Sequence, residues 1–140
     1  MNRRHFAQAA ALAALAATSL GALAQAQRHK IVIQVSDAET GKWNLALNNA
    51  KNLQDDVGAA NVDIELVAYG PGIGMLKMDA PTNSRIAEAV KSGVKVLACE
   101  NTMRNQKLTK DDMHPAIGYV PAGVTEIMTK QSEGWSYLRP

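Results

Sequence analysis

The sequence predicts an α/β domain of three layers, a parallel sheet sandwiched between helices. Two observations carry this. Strand-like and helix-like hydrophobic periods alternate between residues 30 and 138. The strand-like runs are also nearly continuous in apolar residues, as strands covered on both faces are. Parallel strands joined through helices require right-handed crossovers, and functional groups then collect beyond the carboxyl ends of the strands.

Each element has its own signal. Residues 30–35 (KIVIQV) are β-branched and apolar, hence a strand, and Ser36-Asp37-Ala38-Glu39 breaks it with helix-start chemistry. Trp43, Ala46, Leu47, Ala50, Leu53 and Val57 recur at three- and four-residue steps, so residues 42–57 form a helix that Gly58 stops. Residues 62–69 are a second strand, followed by the tight turn Gly70-Pro71-Gly72-Ile73-Gly74 and a loop around Pro81. Asn83 or Ser84 can cap a helix carrying Ile86, Ala87 and Val90, which ends at Gly93. Residues 94–98 are the third strand, with Cys99 at its carboxyl end. A short helix over 100–106 and a helix start at Thr109-Lys110-Asp111-Asp112 follow. Residues 117–120 and 135–138 are short strands flanking a helix over 124–133.

Ahead of this domain, residues 1–24 read as an export signal. Asn2-Arg3-Arg4-His5 is its basic start, residues 6–23 are its alanine-rich apolar stretch, and Ala22-Leu23-Ala24 is its cleavage site. Ala24-Gln25-Ala26 offers a second site. The Arg3-Arg4 pair with Phe6 resembles a bacterial twin-arginine signal, although Asn2 and the lack of a following lysine depart from that pattern. The general secretory route remains open beside it. Removing 24 of 140 residues leaves 116, a single domain of residues 25–140, expected in the periplasm and free of the membrane. Two of the 15 Lys and Arg lie in the signal, so the remainder carries 13 against 13 Asp and Glu. A neutral chain without a basic stripe does not recruit nucleic acid or an anionic membrane surface.

Cys99 is the sole cysteine, so this exported domain can have no internal disulfide and must be stabilised by packing. An idle exposed thiol is a liability in an oxidising compartment, which suggests either use or burial. A strand end followed by a helix start favours the thiolate, because unpaired backbone amides point at the sulfur. Asn101 and Thr102 are placed to support the thiol with hydrogen bonds, while the Glu100 carboxylate would oppose the thiolate. Against this stands a buried, inert cysteine, since free Cys is among the most buried residue types. The turn at Gly70, Gly72 and Gly74 can cradle an anion on its amides, but it lacks the lysine and spacing of a phosphate loop and reads more simply as structural. His114 with Met75, Met78, Met103, Met113 and Met128 offers donors that suit copper, yet only Met75-x-x-Met78 has a ligand-like spacing. No metal site is assigned, and no residue pattern calls for a cofactor.

The segment Val94-Lys95-Val96-Leu97-Ala98-Cys99-Glu100-Asn101-Thr102-Met103 resembles the cysteine-bearing segment of the DsrE/DsrF-like family. Ala68-Tyr69-Gly70-Pro71-Gly72, Val120-Pro121-Ala122-Gly123-Val124 and the ending from Glu133 to Pro140, which is similar to exported members, agree in order and spacing. The resemblance implies a five-stranded parallel sheet and assembly into trimers or hexamers. It also implies that a cysteine matching Cys99 carries sulfur as a persulfide, exchanged with a donor or acceptor protein. Export departs from the sulfur-relay members, which work in the cytoplasm. Two functions therefore compete: a persulfide carrier built on Cys99, and a non-catalytic oligomeric binding protein for a small ligand or metal, copper included, in which Cys99 is structural. The signal reading has a direct check, because N-terminal sequencing of protein from the cell envelope is expected to start at or near Gln25. Recovery as a full-length, membrane-embedded chain would refute it.

Overall fold

The computed structural model describes residues 28–140, so the predicted signal with its arginine pair lies outside the described residues. Five strands form one sheet: β1 (His29–Val35), β2 (Val62–Ala68), β3 (Lys95–Cys99), β4 (Gly118–Val120) and β5 (Ser136–Leu138). All pairings are parallel, and the order across the sheet is β4-β3-β2-β1-β5. Four helices connect them: α1 (Thr40–Val57), α2 (Asn83–Lys91), α3 (Glu100–Asn105) and α4 (Gly123–Ser132). The α/β sandwich expected from the hydrophobic periods is the architecture found.

The order of the strands decides where the helices go. From β1 to β4 the chain steps across the sheet in one direction, and right-handed crossovers keep α1, α2 and α3 on one face. From β4 it must return past three strands to place β5 beyond β1, and the same handedness then sends α4 across the opposite face. Alternation along the strands separates two cores accordingly. Ile33, Leu66, Val96 and Ala98 face α1 and α2 together with Ile73, Met75, Leu76 and Ile86. Val32, Val67, Leu97 and Val120 face the other way and meet Ile127 of α4. The second core is the thinner. Helix α1 buries Trp43, Ala46, Leu47 and Ala50, whereas α4 buries only Gly123 and Ile127.

Local chemistry departs from the sequence reading at two places. The residue preceding α2 is Thr82, rather than Asn83 or Ser84, and its hydroxyl donates to the Met75 carbonyl at 2.9 Å instead of capping the helix. Thr109 does start a turn, with a reciprocal capping box to Asp112, but this is a single 3-10 turn over Lys110–Asp112. The chain then extends, because Met113 bridges to Lys77 and Pro115 follows.

The glycine-rich segment is a 3-10 stretch, Gly70–Leu76, pressed against the end of β1. A Cβ on Gly72 would lie 2.2 Å from the Val35 carbonyl oxygen, a backbone atom that cannot turn aside. Gly41, in the first turn of α1, has nothing within 4 Å of the corresponding position. Gly72→Ala is therefore expected to cost about 3 kcal/mol in urea unfolding. Gly41→Ala is expected to stabilise by about 0.5 kcal/mol. Equal effects from the two substitutions would contradict the packing described.

Candidate functional site

The helices following β3 and β4 leave on opposite faces of the sheet, so the crevice between the carboxyl ends of these two strands is the topological switch point where α/β proteins place ligands. Cys99 lies there. It ends β3, pairs in register with Val120 of β4 and precedes α3 as its N-cap residue. Its side chain is only 4 % exposed.

Several donors converge on the sulfur. The Thr102 amide donates to Sγ at 3.4 Å, and the Thr102 hydroxyl and the amides of Asn101 and Gly123 also act on it. Gly123 opens α4, so amides from the first turns of two helices on opposite faces of the sheet point at one atom. Burial pushes the Cys99 thiol up, but the Thr102 hydroxyl and then the three amides outweigh it, and the thiol is held below its ordinary value. The opposition expected from Glu100 does not figure among these influences. Glu100 acts instead on Tyr119, whose phenol is pushed up first by burial and then by that carboxylate.

Thr102 links the thiol to the glycine turn. Its Oγ1 accepts from the Gly70 amide at 2.9 Å, which leaves the hydroxyl hydrogen free to point at sulfur. Gln106 holds the same turn by donating to the Gly70 carbonyl at 3.2 Å. Asn101 contributes through its backbone alone. Its amide also donates to the Pro121 carbonyl at 3.1 Å, and its exposed side chain accepts from Arg104 at 3.3 Å. The glycines serve packing. Gly72 donates to the Tyr69 carbonyl and lies against β1, and the Cβ position of Gly74 is 3.1 Å from the Trp43 ring. With the Gly70 and Gly72 amides engaged inside the fold, the turn presents them to Thr102 and Tyr69 rather than to an open cradle.

The soft metal donors do not converge at this site. Met75 is fully buried and Met78 is 53 % exposed, so the pair with ligand-like spacing diverges. Met103 and Met113 pack in the larger core, and buried His114 accepts the Ala116 amide on Nδ1 at 3.0 Å. Among the described residues no three His, Cys, Asp or Glu are grouped as a metal site, and no helix is long and apolar enough to cross a membrane.

Two residues of consequence were not singled out from the sequence. Gly123 stands where a side chain is excluded, because a Cβ would lie 3.0 Å from two atoms of Tyr69. Its place after a strand end and at a helix start is the signal that marks it. Glu65 is the second, buried on β2 beneath α4 at 1 % exposure.

The chain belongs to the DsrE/DsrF-like family, whose model matches residues 4–140. Its fold is similar to that of MTH1491 from Methanobacterium thermoautotrophicum, a protein of unknown function. The identity is 32 % and the TM-score 0.76, over 80 % of this chain and 99 % of that one. BT1422 from Bacteroides thetaiotaomicron, also of unknown function, shares the fold at 17 % identity and TM-score 0.66, covering 79 % and 94 % of the two chains. The ychN protein from E. coli does so at 17 % and 0.66, covering 80 % and 99 %. No curated protein matches the chain.

Thr102 offers a direct test of the thiol's environment. Thr102→Val removes a hydrogen bond to the sulfur and leaves the Gly70 amide without its acceptor. The pH at which Cys99 is half-alkylated at a given time should rise, and stability should fall by about 1–3 kcal/mol. Thr102→Ser, which keeps the hydroxyl, should restore the pH profile. An unchanged profile in the valine variant would show that the hydroxyl does not act on the thiol.

Proposed function

We propose that this DsrE/DsrF-like chain is an exported sulfur-handling protein of the periplasm that carries sulfur as a persulfide on Cys99. The observation that supports the reading is the convergence of amides from two helix starts and the Thr102 hydroxyl on one sulfur at the switch point of the sheet. An inert core cysteine needs none of these donors. A persulfide carrier needs a thiolate to accept sulfur, and a persulfide anion has the same need for donors once loaded. In the transfer, the Cys99 thiolate attacks the outer sulfur of a donor persulfide, a new S–S bond forms, and the donor leaves as its own thiolate. Delivery to an acceptor thiolate runs the same exchange in reverse, with no net oxidation in either direction.

One observation favours the competing reading of a non-catalytic oligomeric binding protein. Cys99 is 4 % exposed, so a partner's sulfur cannot reach it in the conformation described. Transfer requires α4 or the Gly70 turn to move aside.

Homo-oligomer formation is part of the proposal. Val124 and Met128 stand one turn apart on α4, 58 % and 60 % exposed, beside a shallow hollow floored by Gln34, Tyr69 and Ile127. Exposed apolar residues on the helix that covers the thinner core suit a second copy of the chain, and a mature chain of balanced charge sets up little long-range repulsion.

Native mass spectrometry reads both parts in one experiment. Wild-type protein exposed to a small-molecule persulfide is expected to run as a trimer or hexamer, with one or more added sulfur atoms per chain that reductant removes. Cys99→Ser should assemble alike and gain no sulfur, and should lose no more than about 1 kcal/mol of stability. A wild-type chain that never takes up sulfur would refute the carrier reading, and a clean monomer at micromolar concentration would refute the assembly.

A further inference from the structure

Glu65 is a carboxyl group buried in the middle of β2, and its surroundings are incomplete. It faces Lys95 of β3 and Lys130 of α4, whose ammonium groups lie 3.9 Å from Oε2, beyond direct hydrogen-bond range. From α4, the Glu126 carboxylate also bears on it, lying 3.8 Å from the same Lys130 ammonium. Its register partner on β1 is Val32, which brings no charge, and Asp63 on its own strand is engaged by Arg28. Oε1 has no hydrogen-bond partner among the described residues. Lys130 is itself divided, 3.8 Å from Glu126, 3.5 Å from Glu133 and 4.9 Å over the Trp135 ring. Burial first, and Glu126 second, push the Glu65 carboxyl up to about 7, and the two lysines oppose this only in part.

This cluster sits under a helix with little apolar anchorage, since Ile127 is the only large side chain that α4 buries. The same helix carries the Gly123 amide that supports Cys99. We propose that Glu65 is a proton-operated positioning residue that latches α4 onto the sheet and thereby governs access to Cys99. The access clause rests on the reading of Cys99 as a working thiol. With its proton, Glu65 donates to the Glu126 carboxylate and is satisfied across the interface. Without it, two carboxylates face each other between sheet and helix, and a buried oxygen is left unpartnered. The repulsion acts on α4 directly, and an outward shift of its first turn uncovers the sulfur. Because the folded state holds this proton more tightly than the unfolded chain does, the stabilisation is full below about 4.5 and is lost as pH rises to about 7.

Hydrogen exchange of the full protein at pH 5.5 and pH 8, corrected for intrinsic rates, tests the latch. Protection of the α4 amides is expected to fall by at least about tenfold between the two, while the β2 and β3 amides hold theirs. Glu65→Gln should keep α4 protected at both pH values and slow alkylation of Cys99 at pH 8 by a similar factor. Glu126→Gln, which leaves Glu65 in place but removes the second carboxylate and supplies an amide donor, should shrink the pH-dependent loss of protection and serves if the Glu65 variant does not fold. Loss of protection that is equal in wild type and both variants, or absent in wild type, would overturn the proposal. The two readings fail separately. Sulfur uptake on Cys99 with pH-independent α4 protection removes the latch and leaves the carrier. A pH-dependent α4 over a thiol that alkylates only after denaturation keeps the latch on the helix and removes both the access clause and the carrier.

Discussion

A chain that has laid four parallel strands in one direction and must set the fifth beyond the first has one route back, across the face that its earlier helices left open. Helix α4 takes that route, and much of the molecule's character follows. Helices leave β3 and β4 on opposite sides, so the ends of these strands form a crevice with a helix start on each flank. Cys99 is the last residue of one strand and pairs with the last residue of the other, which places its sulfur where both sets of unpaired amides point. No local motif could arrange this. The two amide sources are more than twenty residues apart in sequence and belong to helices that never share a face.

The chemistry at Cys99 is a contest between burial and hydrogen bonding. Enclosing a thiol favours the neutral form, and a cysteine with 4 % exposure would ordinarily be an unreactive core residue. One hydroxyl and three amides reverse the sign. Charge plays little part: the neighbouring Glu100 bears on Tyr119 instead, so the site is tuned by a hydroxyl and fixed backbone dipoles, none of which titrates. Glu65 shows the opposite solution four residues back along the sheet, in register with Lys95. There burial wins, because the lysines stop short of hydrogen-bond range and a second acid, Glu126, pushes the same way.

Most of the fold was legible because its elements are locally self-consistent. β-branched runs became strands, three- and four-residue apolar steps became α1, and Cys99 was placed at a strand end from the apolar run before it. Glu65 was not legible, and the reason is physical. Val62-Asp63-Ile64-Glu65 alternates apolar and polar residues, and nothing in that pattern says which of the two acids on the polar face will be covered. That face is dried by a helix some sixty residues later in the chain, which periodicity within β2 cannot reveal. Asn101 illustrates a related limit. Its amide reaches the thiol while its side chain turns to Arg104, and sequence does not distinguish a residue that acts through its backbone. Thr109 and Asp112 carried a true helix-start signature that came to a single turn, because Pro115 and the bridge from Met113 to Lys77 take the chain elsewhere.

The pairing of β5 with β1 has a consequence for how the chain is made. Strands β1 to β4 meet neighbours close in sequence, but the outer edge of β1 waits for residues 136–138, the last of the five strands in chain order. Until then an apolar strand through Ile31, Val32 and Ile33 presents unpaired backbone groups on its outer side, the kind of edge that pairs with whatever strand comes by. Ser136-Tyr137-Leu138 is therefore a cover as much as a strand, fastened by the Tyr137 hydroxyl donating to Gln34 at 2.6 Å. A nascent or truncated chain lacking those few residues would keep an almost complete core and yet carry an open, adhesive edge.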